Sequence, residues 1–156
     1  MPEKFIDNYL LFQLALASHT FSEEFYDQLR AEGVSPAKWR ILINLVDCQG
    51  MYLTALAKYS LYEQSRVTKL VDQLVGEGLV EKRSLHQDRR RVGIHITAKG
   101  TDMVKPLIEQ AKIHEASVLS NLSASDQKHL KSILNKLAKR HAKDMQVSNL
   151  KLVETT

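Results

Sequence analysis

A chain of 156 residues is about the length of one domain, and 44% hydrophobic with 26% charged residues is a balance that can bury its own core and excludes a disordered polymer. There is no run of the roughly 18 or more apolar residues that crosses a membrane, and Met1-Pro2-Glu3-Lys4 lacks the basic-then-apolar order of a secretion signal, so a cytoplasmic location is expected. The net charge of +4 is unevenly spread: residues 1–33 carry 2 basic and 6 acidic side chains, residues 34–100 carry 11 and 6, and residues 101–156 carry 9 and 6.

From Phe5 to Leu29 apolar side chains recur at Ile6, Leu10, Leu14, Ala17, Phe21, Phe25 and Leu29, spacings of three and four that predict one long amphipathic helix. At about 1.5 Å per residue such a helix is longer than a small domain needs for its own core, so part of its stripe is expected to pack on a second chain. Gly33 ends it. Ser35-Pro36 opens the next helix, with Ser35 at the cap and Pro36 at the first helical position, and Trp39, Leu42, Ile43 and Val46 form its buried face. The lone Cys48 follows on an apolar stretch and reads as a small hydrophobe rather than a redox centre.

After Gln49-Gly50, Leu53, Leu56 and Ala57 mark a short helix, a break falls around Ser60 to Tyr62, and Val67, Leu70, Val71, Leu74 and Val75 mark another that closes at Gly76 and Gly78. The period then changes. Leu79 and Val80, then Val92, Ile94 and Ile96, follow the period of two expected for strands, and between them residues 82–91 place five cations against one carboxylate. A hairpin with such a tip suits a polyanion, with a solvated charged hairpin as the alternative. Thr97 to Gly100 turns the chain into a helical run through Val104, Leu107, Ile108 and Ala111, in which Pro106 is expected to kink the helix. Ser123-Ala124-Ser125-Asp126, a variant capping box, opens a last helix along Leu130, Ile133, Leu134 and Leu137.

The fold expected is mainly α with a small β-hairpin wing: a winged helix-turn-helix over 34–100, flanked by dimerisation helices at 1–33 and 101–156, the whole forming one interlocked unit. In ordered series, Val34-Ser35-Pro36-Ala37-Lys38-Trp39-Arg40-Ile41-Leu42, Val67-Thr68-Lys69-Leu70-Val71-Asp72-Gln73-Leu74, Gly78-Leu79-Val80-Glu81-Lys82, Asp88-Arg89-Arg90-Arg91-Val92 and Ile96-Thr97-Ala98-Lys99-Gly100 resemble the MarR (multiple antibiotic resistance regulator) family. The wing Asp88-x-Arg90 followed by Ile94-x-Ile96-Thr97-x-x-Gly100 is the most specific part.

Gln64, Ser65, Arg66, Thr68 and Lys69 lie on the early, non-apolar part of the expected second helix of the helix-turn-helix, the helix that enters a major groove about 12 Å wide. There Arg66 can pair bidentately with guanine and Gln64 with adenine. The resemblance implies that Arg90 inserts in the minor groove, that Asp72 orients the wing arginine and that Asp88 steadies the turn; Arg89 and Arg91 read as phosphate contacts. It also implies a repressor that binds palindromic double-stranded DNA as a homodimer; the unmatched apolar stripes of the arms make Phe5, Tyr9, Ile133, Leu137 and Leu150 the interface candidates, with an intramolecular core as the alternative. A small effector, an aromatic or phenolic acid, would need an apolar slot with a cation, for which His19, Trp39 and Arg40 are of suitable type.

Other functions have less in the sequence to carry them. A dimeric interaction module that has lost DNA reading would not need Arg66, Lys69 and Arg89 to Arg91. An enzyme would need paired carboxylates, a nucleophile elbow or a phosphate-cradling loop. No cofactor or metal is implied, since His86, His95, His114, His129 and His141 are scattered. Peroxide-sensing relatives carry an early cysteine where this chain has Ala15.

Overall fold

The computed structural model describes the backbone of residues 4–48, 50–85 and 88–146, and the side chains of 4–48, 50–83 and 92–138. The elements run α1 (Phe5–Asn8), α2 (Leu10–Ala31), α3 (Pro36–Leu45), β1 (Met51–Tyr52), α4 (Leu53–Ser60), α5 (Gln64–Gly76), β2 (Val80–Leu85), β3 (Asp88–Ile96), α6 (Ala98–Val118) and α7 (Ala124–Gln146). The chain divides into two compact units, Met1–Pro36 and Ala37–Thr156.

In the first unit the single helix expected from Phe5 is divided at Tyr9. Tyr9 is extended (φ −79°, ψ 105°), and its carbonyl then accepts from Phe12 N (2.9 Å) and Gln13 N (3.1 Å) to start α2. Two local contacts compete with a continuous ladder there. The Gln13 side-chain amide donates to the Asp7 carbonyl at 2.7 Å, and the Phe5 and Tyr9 rings stack with centroids 5.2 Å apart. At the far end Gly33 takes φ +75° and the Val34 N–H reaches back to the Leu29 carbonyl at 2.9 Å, a left-handed stop that glycine adopts without steric penalty.

The second unit is built on one apolar cluster: Ile41, Leu42 and Leu45 of α3, Leu56 and Ala57 of α4, Val67, Val71 and Leu74 of α5, Val80 and Ile94 of the sheet, and Val104 of α6. Helix α3 buries Ile41, Leu42 and Leu45 rather than the Trp39, Leu42, Ile43 and Val46 face expected from the sequence, with Trp39 and Val46 only partly buried against the cluster; truncating a fully buried leucine such as Leu42 or Leu74 to alanine would cost about 2–5 kcal/mol. Trp39 packs against this cluster and Cys48 is half-buried beside it, its thiol 3.5 Å from the Asn44 carbonyl.

The sheet has three strands in the order β1-β3-β2, all antiparallel, rather than the two strands expected. β1 is two residues long, pairing Met51 with Ile94 and Tyr52 with Gly93, too short to show any period. Along β2 and β3 the ladder runs from Val80↔Ile96 to Ser84↔Val92 and then shifts, with Leu85 opposite Asp88. Gly50, at φ +117°, lets the chain enter β1 against His95: a Cβ at Gly50 would come within 2.4 Å of the imidazole.

Thr97 fastens the sheet to α6. Its hydroxyl donates to the Gly78 carbonyl (2.7 Å) and accepts from Gly100 N (3.1 Å), while its own N–H donates to the Leu79 carbonyl (3.1 Å). Helix α6 continues through Pro106. The N–H that proline lacks would have served Asp102, an exposed residue whose carbonyl can turn to water, while Val104 and Leu107 stay buried on the opposite face. Helix α7 opens with the expected box: Asp126 N donates to Ser123 Oγ at 3.1 Å, and that hydroxyl donates to the Asp126 carboxylate at 2.6 Å.

Candidate nucleic-acid interface

The turn between α4 and α5 has no glycine. Leu61 itself takes the left-handed conformation (φ 59°, ψ 38°) at the end of α4, its N–H on the Lys58 carbonyl, and the Tyr62 N–H bonds the Ala57 carbonyl at 3.1 Å. A left-handed leucine is strained by about 1–2 kcal/mol. The buried Ser60 hydroxyl, bonded to the Ala57 carbonyl at 3.2 Å, and the packed Leu56 and Ala57 hold the end of α4 in place against that strain.

Helix α5 divides cleanly by burial. Val67, Val71 and Leu74 face the core, and Gln64, Ser65, Arg66 and Lys69 are exposed toward its N-terminal end. Thr68 is half-buried, and its hydroxyl donates to the Gln64 carbonyl at 2.9 Å, so its proton is taken up within the helix while its methyl and a lone pair remain. These are the residues that the sequence assigned to groove contact.

Arg66 is further placed by a neighbour that the sequence reading passed over. Its guanidinium carbon lies 4.1 Å from the centroid of the Tyr62 ring, and the Arg40 guanidinium, from α3, lies 5.3 Å from the same centroid. Tyr62 reads in the sequence only as part of a break. The signal available was its spacing four residues before Arg66, on the turn of a helix-turn-helix. Lys58, Leu61, Glu63, Ala57, Tyr62 and Arg66 line an open cleft at this turn.

The helix is tied to the wing by Asp72, whose carboxylate accepts from Lys82 of β2 at 2.5 Å. The resemblance had Asp72 orient a wing arginine; Lys82 is its partner among the described residues, and the side chains of Asp88, Arg89, Arg90 and Arg91 lie outside them. Their backbone forms the first residues of β3. Arg83 pairs with Glu81 on the same strand. A second tie was not legible in sequence: Lys38 of α3 donates to both carboxylate oxygens of Glu77, at 2.7 and 2.8 Å, and Lys99 donates to the Glu77 carbonyl at 2.7 Å. The Lys38 hydrogen bond holds the Glu77 carboxyl below its ordinary range, outweighing the opposite effect of burial.

His95, packed against Gly50, has its imidazole pushed below the usual histidine range, mainly by burial and further by the Arg83 charge, with Glu81 acting in the other direction. Of the candidates for an effector site, His19 is exposed on α2, whereas Trp39 and Arg40 are half-buried on α3. Among the described residues no group of three His, Cys, Asp or Glu side chains is placed to hold a metal ion, and no helix is long and apolar enough to cross a membrane.

Comparison with known proteins places this architecture. The MarR family model matches residues 34–92, which run from the start of α3 to the wing. A MarR family transcriptional regulator from Silicibacter pomeroyi DSS-3 is 38% identical, with 88% of this chain and 98% of that one covered and a TM-score of 0.78. The HTH-type transcriptional repressor YetL of Bacillus subtilis is 26% identical over 132 residues, 83% of this chain and 77% of YetL. BpsR of Bordetella bronchiseptica, whose DNA binding is regulated by 6-hydroxynicotinic acid, shares the fold at 20% identity and a TM-score of 0.76, with 88% and 98% of the two chains covered. With a core that presents one exposed polar helix end beside a basic hairpin, and with that identity across nearly the full length of a known member, the chain belongs to the MarR family of winged helix-turn-helix transcriptional regulators.

Proposed function

We propose that this chain is a repressor that binds a palindromic double-stranded operator as a homodimer and is released by a small aromatic or phenolic acid. The observation that carries the reading is the division of α5, anchored by Val67, Val71 and Leu74 while Gln64, Ser65, Arg66 and Lys69 stand exposed at its N-terminal end. That end is the part of a helix-turn-helix that meets base edges. Arg66 pairs with guanine, Gln64 with adenine, Ser65 and Lys69 flank them, and the Thr68 methyl lies against the groove wall. Arg90 enters the minor groove, where arginine is favoured over the more strongly hydrated lysine; Arg89 and Arg91 take phosphates and Asp88 steadies the turn between the strands.

The arms, 1–33 and 101–156, serve dimerisation in this reading. Phe5 (79% exposed), Leu10 and Leu11 (60% each) on the first, and Ile133 (54%) and Leu137 (51%) on α7, form rows of apolar side chains of a kind that single-chain proteins rarely leave in water. Tyr9 belongs to the same set, and Leu150 lies outside the described residues. Two copies related by a two-fold axis then address two half-sites about one helical turn apart. For the effector, the regulation of BpsR by a hydroxylated aromatic acid supports the ligand class. Arg40 supplies the cation and Trp39 an aromatic face, both on α3, and His19 on α2 is the further side chain of suitable type.

Fluorescence anisotropy with duplex from the chain's own upstream region against scrambled duplex, across a salt series and then with a panel of aromatic carboxylates, tests this directly. Specific binding released by one compound is the expected result. Equal, weak binding to both duplexes would replace it with a dimeric interaction module.

A further inference from the structure

The exposed arginines of this chain are not all held alike. Arg30 is paired with Glu23 and Asp27, and Arg83 with Glu81. Arg66, the third residue of α5, makes no ion pair or side-chain hydrogen bond among the described residues; its guanidinium lies over the Tyr62 ring at 4.1 Å from the centroid, well inside the roughly 6 Å of a cation–π contact. A guanidinium stacked face-on over a ring keeps the five N–H donors around its edge for other partners, the arrangement needed for a bidentate bond to the O6 and N7 of guanine. A carboxylate partner would instead consume those donors.

The platform is itself fixed. The Tyr62 N–H bonds the Ala57 carbonyl, the residue follows a left-handed Leu61, and its side chain packs against the apolar cluster of the second unit. Arg40 approaches the same ring from α3, adding a second positive charge that favours an electron-rich acceptor edge in front of Arg66.

We infer that Tyr62 is a positioning residue that holds Arg66 in place to read a guanine edge, so that base preference at that point depends on the aromatic ring as much as on the arginine. The inference rests on the DNA-reading function proposed above. A long side chain ordered before contact loses less freedom on binding, and one held at a single place discriminates between bases instead of sliding to the nearest phosphate.

The test is selection from a duplex pool with a randomised centre by the wild-type chain, Tyr62→Phe, Tyr62→Leu and Arg66→Ala, reading base frequencies at each position. Wild type and Tyr62→Phe are expected to enrich guanine at one position per half-site. Tyr62→Leu and Arg66→Ala are expected to lose that enrichment alike, with affinity of Tyr62→Leu for the wild-type consensus down about fivefold. Enrichment retained in Tyr62→Leu but lost in Arg66→Ala, or lost in Tyr62→Phe, overturns the platform and leaves the regulator reading standing. No enrichment by wild type overturns both. A measurement on the unmutated protein guards against a Tyr62→Leu that does not fold: nitrogen relaxation should find the Arg66 side-chain Nε restrained, and an Arg66 Nε as mobile as a freely solvated arginine overturns the inference.

Discussion

Gly100 lies directly against the Leu79 carbonyl: a Cβ on Gly100 would come within 2.2 Å of that oxygen and 2.8 Å of Ile96 Cγ1. The Leu79 carbonyl is at the same time the acceptor for the Thr97 N–H, so it cannot give way without loosening the join between the wing and α6. Gly100→Ala is therefore expected to destabilise the fold, by about 1–3 kcal/mol for the steric clash less up to about 1 kcal/mol regained in helix propensity. A urea midpoint equal to or above that of wild type would show that the backbone absorbs the methyl.

Leu61 presents the converse case. Its side chain is 78% exposed and its φ of 59° is the left-handed value that a leucine resists. Leu61→Gly removes the strain and loses little burial, although glycine's larger freedom in the unfolded chain takes back part of the gain. The expected outcome is an unfolding free energy raised by at most about 1 kcal/mol, read as a higher urea midpoint, and a lowered midpoint would assign Leu61 a packing role that its exposure does not suggest.

His95 makes stability depend on pH in a definite direction. Its folded imidazole titrates below the ordinary histidine value because burial disfavours the charged ring, so below about pH 6.5 the unfolded chain takes up the proton first. The contribution of His95 is thus present above that pH, declines as pH falls through the window down to the folded value, and is constant beneath it. Denaturant midpoints for wild type and His95→Gln between pH 7.5 and 5 should converge on acidification, since the other histidines titrate in both proteins. Parallel curves would refute the assignment.

On the function proposed above, Arg90→Ala is expected to weaken binding to duplex DNA and to reduce the slope of log affinity against log salt by about 1, with the mass of the protein in solution unchanged. Wild-type affinity with wild-type salt dependence would remove Arg90 from the interface.

The Asp72–Lys82 pair, with both side chains more than 40% exposed, should matter little to stability, at about 0–1 kcal/mol. Lys82→Ala would then leave the thermal midpoint nearly in place, and a large fall would mean that the pair, rather than the shared apolar core of α5 and the sheet, holds the wing against α5.

Local chemistry made much of this molecule legible before any coordinates. The stop at Gly33, the start at Pro36, the box at Ser123 and Asp126, and the alternation Val92, Ile94, Ile96 are each decided within a few neighbouring residues, because capping bonds and side-chain direction repeat at short, fixed spacing. The exposed and buried faces of α5 follow from the same spacing. Local reading failed where a local contact outbid the periodic pattern, as at Tyr9, and where a strand of two residues, β1, had no period to show.

What only the tertiary structure decided are the pairings between residues distant along the chain. Met51 meets Ile94, Lys38 meets Glu77 and Lys82 meets Asp72 because the packing of α3, α4, α5 and the sheet around one core brings them together, and no spacing in the sequence encodes those distances. The placement of Arg66 belongs partly to each: the sequence determined that an arginine would stand exposed at the start of α5, and the folded turn determined that it stands on Tyr62, with Arg40 brought beside it from another helix. Periodicity fixes which way a side chain faces, whereas only the assembled core fixes what it faces.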